Sequence, residues 1–125
     1  MQSGQRPKYL NLMQIRLPLP GIVSIAHRIS GVLMFLAIPF IAYMLHVVVR
    51  DEAGFLEIRT LMDNIIIKLA LFVLIWSLLH HLFAGIRYLL IDFDVGVDKP
   101  TARASAAVVM AAAIVSAVIT GVLLI

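Results

Sequence analysis

The sequence contains no cysteine, a single tryptophan and few charges, and each shortage removes a class of function. Without thiols there is no disulfide framework, no thiolate zinc site and no iron–sulfur cluster held by this chain alone. Histidine, present four times, and the methionine thioethers are the soft ligands that remain. Charged residues make up 14% of the 125 positions and hydrophobic ones 62%, against roughly one quarter and one half in soluble domains. The mean hydropathy of +1.05 agrees with a membrane protein. No phosphate-binding glycine loop, nucleophile triad or HExxH zinc pattern is present. The length suits one small domain, with no separate soluble core for a catalytic cleft, so any chemistry must lie between helices or in partner chains.

A net charge of +3 and a pI near 9.7 do not point to nucleic acid, because the basic residues flank apolar runs instead of forming a stripe with interleaved aromatics. The first residues, MQSGQRPKYLNLMQIRLPLPG, are polar and punctuated by proline, with neither a signal-peptide core nor a transit-peptide pattern, and read as mature sequence.

Apolar runs at 29–49, 65 to about 90 and 104–125 each meet the requirement of about 20 residues for a spanning helix. The expected fold is an all-α membrane protein: a single anchor domain over 1–125, with a cytoplasmic N-terminal segment at 1–22 and spans near 24–49, 63–90 and 103–125. Pro39 should kink the first span. The third run, ARASAAVVMAAAIVSAV, is rich in small residues suited to close helix packing. Across DEAGFLEIRTLMDN and into the next run, Phe55, Ile58, Leu61, Met62 and Ile65 recur near helical spacing and suggest a short interfacial turn leading into the second span, and DFDVGVDKPT supplies turn and helix-start residues. Arg6, Lys8, Arg16, Arg28, Arg87, Lys99 and Arg103 fall on one side, against Arg50, Arg59 and Lys68 on the other. The positive-inside rule then places the N-terminus in the cytoplasm and the C-terminus in the periplasm.

Lys68 and Arg87 lie about 28 Å apart along a helix, close to the roughly 30 Å of hydrocarbon, so each is expected to snorkel to its own interface. That spacing puts His81 about 9 Å inside the cytoplasmic boundary, where an ionisable residue is a functional candidate. His80 lies at nearly the same depth, but adjacent helical side chains diverge by about 100°, so both cannot face one ligand. His81, Gly85 and Tyr88 form one stripe, with room at Gly85 for a flat group or another backbone, whereas His80 shares a stripe with Ala84 and Arg87. Spacing alone leaves the choice open. In SIAHRISG, Ser24 and Arg28 are neighbours one turn apart, as are His27 and Gly31, at the mouth of the first span. Singly, Ser24 reads as a helix-start residue and Arg28 as a topology anchor. Jointly with His81 they fit haem, which needs an axial imidazole for its iron and cations for its propionates. His46 sits toward the opposite end of the first span, and Asp92, Asp94 and Asp98 are too strung out to form a metal cage.

The chain resembles the cytochrome b membrane-anchor subunits of succinate:quinone oxidoreductases from about Arg6 to Asp92, with the right count of spans beyond. One motif comprises Arg6-Pro7, Leu12, Arg16, Pro18, Ser24, His27, Arg28 and Gly31; the other is HLFAGIRYLLID, with His81, Gly85, Arg87 and Asp92 at the family spacing. The resemblance implies three transmembrane helices forming half of a heterodimeric anchor bundle. It also implies a b-type haem shared with a second small membrane-anchor subunit, and iron–sulfur and flavoprotein subunits seated on the bacterial inner membrane. By the same resemblance His81 is the axial ligand, with the other axial histidine from the partner anchor. Ser24 and Arg28 line the ubiquinone pocket, and His27 and Arg28 lie near the haem propionates. Tyr88 stands where some members carry histidine, and Ile91 where some carry an aromatic residue. The chain would bind no flavin and oxidise no succinate itself, helping instead to pass electrons to quinone. The alternatives are a fumarate reductase-type anchor and a haem-free three-span accessory subunit of another membrane complex.

Overall fold

The computed structural model describes residues 16–124. Arg6, Pro7 and Leu12 of the N-terminal signature lie outside the described residues, as do Lys8 and most of the segment expected to be cytoplasmic. Four helices follow: α1 Leu19–Arg50, α2 Glu52–Met62, α3 Ile65–Asp92 and α4 Lys99–Leu124. Helices α1, α3 and α4 are long and apolar enough to cross a membrane. Much of their apolar surface faces outward: Phe35 and Phe40 are each 71% exposed, as suits side chains that meet lipid or another chain.

Helix α1 begins earlier than its apolar run because the proline-rich entry is compatible with a helix start. Pro18 occupies the N-cap with an extended backbone, and Pro20 sits in the first turn, where a missing N–H leaves no helical bond unmade. At about 48 Å the helix exceeds the roughly 30 Å of hydrocarbon, so its first turns reach the headgroup zone. It remains one helix past Pro39.

Where the sequence suggests an interfacial turn, an eleven-residue helix forms instead. Asp51 caps α2 by accepting from the Gly54 N–H at 2.6 Å, and it pairs with Arg50 Nε at 2.9 Å. The amide bond and then the guanidinium hold its carboxyl below the usual carboxylate range. Helix α2 folds back on the end of α1 so closely that a Cβ at Gly54 would collide with the Val47 carbonyl oxygen. Ile58 is buried, while Phe55, Leu56 and Leu61 stay exposed on the outer face. Asn64 then caps α3, its side-chain oxygen accepting from the Ile66 N–H at 2.8 Å.

Helix α3 is central and packs against both other spans. Helix α4 meets it through a narrow edge: Ala106, Val109, Ala113, Ala117 and Gly121 recur every three or four residues and are all buried. A Cβ on Gly121 would come within 2.7 Å of the Phe72 ring. The core at the opposite end joins Val23, Ala84, Ala106 and Val109. Between α3 and α4, the Val95 N–H bonds the Leu90 carbonyl and the Asp94 N–H the Ile91 carbonyl, both at 2.9 Å. This is a Schellman ending with Asp94 in the left-handed position, φ 59°. Asp98 caps α4 by accepting from the Thr101 N–H and hydroxyl at 3.1 and 2.8 Å.

Substituting Gly54→Ala forces the α2 backbone away from Val47, at an expected cost of about 1–3 kcal/mol, the usual range for overpacking. Thermal unfolding in mild detergent checks this, and an unchanged midpoint would show that the α1–α2 contact yields freely.

Candidate functional site

The inward stripe of α1 near its start is Val23, His27 and Ser30, spaced by four and three residues, with Val23 and Ser30 fully buried. Helix α3 presents His81, Gly85 and Tyr88 to it. The His27 ring lies along that stripe: it stacks on His81 with centroids 3.9 Å apart and planes 17° apart, and meets the edge of Tyr88 at 5.3 Å. A Cβ on Gly85 would stand 3.8 Å from His27 Nε2, an ordinary contact distance, so the flat group beside this glycine is an imidazole of α1. The relation is reciprocal. On α1, Gly31 faces the His81 ring, and a Cβ there would come within 3.1 Å of His81 Cε1.

The His81 ring is held at one nitrogen. Its Nδ1 lies 3.1 Å from the His27 carbonyl oxygen and 3.2 Å from Ser30 Oγ. Ser30 Oγ in turn donates to the His27 carbonyl at 2.8 Å. A hydroxyl has one proton, and here the carbonyl takes it, so both groups facing Nδ1 act as acceptors. The tautomer that satisfies all three contacts carries its proton on Nδ1, which leaves the Nε2 lone pair in the ring plane. Nε2 forms no hydrogen bond with the described residues, and stacking covers the face of a ring, not its in-plane lone pair.

His80 has a different setting. It is fully buried, stacked on Trp76 at 5.2 Å, and lies on the face of α3 that also buries Ser77, Ala84 and Arg87. Its nitrogens are enclosed by the chain's own helices. Arg87 departs from the expected snorkelling: it is only 6% exposed, donating from Nε to Ser105 Oγ at 3.0 Å and from a terminal nitrogen to the Ala102 carbonyl at 3.1 Å. Helix α4 begins at Lys99, several residues before the apolar run, and its polar first turns therefore lie beside Arg87 and offer acceptors closer than the interface.

Ser24 is half-buried and Arg28 exposed, on the outer flank of the His27 stripe, and neither side chain is hydrogen-bonded to the described residues. The structure thus divides SIAHRISG: His27 and Ser30 turn in to α3, while Arg28 turns out. His46 is exposed and far along α1. Among the described residues, no three His, Asp or Glu side chains converge on a common metal position. A separate groove of about 440 Å³ between α3 and α4 is lined mainly by apolar side chains, including Phe83, Leu90 and Val108.

A profile of the succinate dehydrogenase/fumarate reductase transmembrane subunit family matches residues 2–120. The chain belongs to that family. It is similar to the succinate dehydrogenase cytochrome b556 subunit of Coxiella burnetii (strain RSA 493 / Nine Mile phase I), at 36% identity over 96% of this chain and 97% of the relative. Identity to the cytochrome b556 subunit of Paracoccus denitrificans is 32%, over 96% and 92% of the two chains. The Rickettsia felis (strain ATCC VR-1525 / URRWXCal2) counterpart is 29% identical over 74% and 72%. As a member, this chain is a multi-pass membrane-anchor subunit of complex II type, which accounts for three spans with so little buried between them.

Within this anchor subunit, sequence reasoning brought forward His27, His81 and Gly85, which do meet, and passed over Ser30 and Ser105. The signals were present. Ser30 stands three residues after His27, on the same helical face, and Ser105 lies among small residues on the edge by which α4 approaches α3. Replacing Ser105→Ala leaves the buried Arg87 Nε–H without its acceptor, at an expected cost of about 1–3 kcal/mol. Detergent thermal unfolding of the variant measures it; no loss would mean that Arg87 finds another acceptor.

Proposed function

We propose that this chain and a second small anchor subunit hold a b-type haem, with His81 as one axial ligand. Ser24 and Arg28 form part of a ubiquinone-reduction site of a succinate dehydrogenase in the bacterial inner membrane. The observation that carries the reading is the state of the His81 ring: Nδ1 is anchored by two oxygen acceptors, and Nε2 keeps a lone pair with no hydrogen-bond partner among the described residues. Metal-bound histidines ordinarily tie their other nitrogen to a carbonyl or carboxylate in this way. One imidazole without companion ligands among the described residues fits a metal that brings its own equatorial ligands with it, as haem iron does. His80, enclosed within the bundle, offers no comparable donor. The cytochrome b556 names of the Coxiella and Paracoccus relatives support the same cofactor.

When bound, haem supplies a one-electron carrier beside the quinone pocket. This chain's residues bind and orient. His81 holds the iron; His27, stacked against it with Nε2 along Gly85, offers a hydrogen bond at the haem edge; and Arg28, exposed and free of any carboxylate among the described residues, neutralises propionate charge. Ser24, four residues before Arg28 on the same face, donates to a quinone carbonyl, while Arg28 favours the negative charge that grows on quinone oxygen during reduction. The iron–sulfur subunit delivers electrons, and the flavoprotein subunit oxidises succinate. The bias of Lys and Arg toward one set of helix ends supports a cytoplasmic N-terminus and a periplasmic C-terminus. The succinate dehydrogenase names of the relatives favour that direction over fumarate reduction, which the family description also covers.

Two substitutions test the two halves of this reading in the assembled complex. His81→Ala is expected to abolish or strongly alter the b-type band in reduced-minus-oxidised spectra, and normal haem content with an unchanged band would refute the ligand assignment. Arg28→Leu is expected to lower succinate:quinone activity at least tenfold while electron transfer to an artificial acceptor survives; equal loss of both activities would place Arg28 in assembly instead.

A further inference from the structure

We propose that Ser30 is the positioning residue of the haem-ligand histidine: its hydroxyl shares the Nδ1–H of His81 with the His27 carbonyl, and so sets the rotation of the ring and the donor strength of Nε2. The inference rests on the reading of His81 as an axial ligand and adds a device on the other side of the ring. Ser30 is fully buried, and its position inside α1, past the first turns, would ordinarily leave its hydroxyl bonded to its own helix and nothing more. Here that local bond does further work. By donating to the His27 carbonyl at 2.8 Å, Ser30 commits its proton and turns its lone pairs across the helix interface, where Nδ1 lies 3.2 Å away.

The ring then has little freedom. The His27 carbonyl and Ser30 Oγ flank Nδ1 at 3.1 and 3.2 Å, the His27 ring covers one face at 3.9 Å, and the backbone at Gly31 lies beside Cε1. Rotation about the bond to the ring would break the shared hydrogen bond, and in a span without water nothing replaces it. A hydrogen bond accepted from Nδ1–H also places partial negative character on the imidazole, which strengthens Nε2 as a donor. A stronger donor favours ferric over ferrous iron. The couple takes up one electron with no bond made or broken and no proton moved, so the hydroxyl acts on the potential alone. Removing it leaves the His27 carbonyl as sole acceptor and should move the haem potential upward.

The test uses the assembled membrane complex carrying Ser30→Ala or Ser30→Cys, a pair close to serine in size but with no acceptor and a weak acceptor respectively. Haem content, redox-titrated midpoint potential and the low-spin g values of the ferric haem are read together, since g values report axial ring orientation. The expected result is retained b-type haem, a potential rising in the order Ser, Cys, Ala, and a change in the highest g value. Should the alanine variant lose haem while the cysteine variant keeps it, the shifted potential of the latter supports the same conclusion. An unchanged potential and g value in Ser30→Ala overturns the proposal, as does equal loss of haem from both variants. His81→Ala separates the levels: haem lost there with Ser30→Ala unchanged removes only the Ser30 inference, whereas haem retained normally removes the ligand reading on which it stands.

Discussion

The close approach of α1 and α3 at the His27–His81 stack is the contact on which the rest of the arrangement depends. Two imidazoles stack 3.9 Å apart between adjacent helices, and the tightest point of that approach is Gly31, where a Cβ would come within 3.1 Å of the His81 ring. Gly31 admits the histidine of α3, and Gly85 lies against the histidine of α1. In a membrane interior, where apolar burial gives no drive to hold helices together, such steric fit and interhelical hydrogen bonds must supply it. The bond from His81 Nδ1 to the His27 carbonyl and Ser30 is that second component. Association of the spans and orientation of the candidate ligand therefore come from the same few atoms.

Helix α4 completes the frame by a different means. Its buried edge is nearly all alanine, valine and glycine, which brings its backbone close to α3. That closeness puts the Ala102 carbonyl and the Ser105 hydroxyl within reach of Arg87. The guanidinium lies 5.5 Å from the Tyr88 ring, whose edge contacts His27. A continuous line of contacts thus runs from the start of α4 through Arg87 and Tyr88 to the histidine stack, and an anchor with modest internal burial still holds its polar groups in place.

Much of this is legible in the sequence, for identifiable reasons. Hydrophobic runs of spanning length are long, cooperative signals, and they define three helices whatever the details of packing. Helix ends are less legible: the proline-rich entry to α1 and the polar turns opening α4 lie outside the apolar runs yet are helical, because caps and first turns tolerate such residues. Helix α2 shows helical spacing in the sequence, but its full length is not legible there, since its start depends on Asp51 capping and on Gly54 folding against Val47. For the histidines, the stripe of His81, Gly85 and Tyr88 marked the face of α3 that meets α1. It did not say which α1 side chain lies against it.

Composition and spacing by themselves determined an all-α, three-span chain without thiol chemistry, with polar groups gathered at one end of its first two spans. They also placed His80 and His81 at nearly one depth, because rise per residue is fixed by helix geometry. Only the tertiary structure decided that His80 is enclosed, that His81 turns Nδ1 to α1 and leaves Nε2 unpaired among the described residues, that Ser30 faces Nδ1, and that Arg87 turns to α4 instead of to the interface. Those outcomes depend on the rotation of each helix about its own axis and on which carbonyls come within about 3 Å of a side chain. Neither quantity is carried by a one-dimensional pattern, since both are set by how closely glycine and alanine let the neighbouring backbones approach.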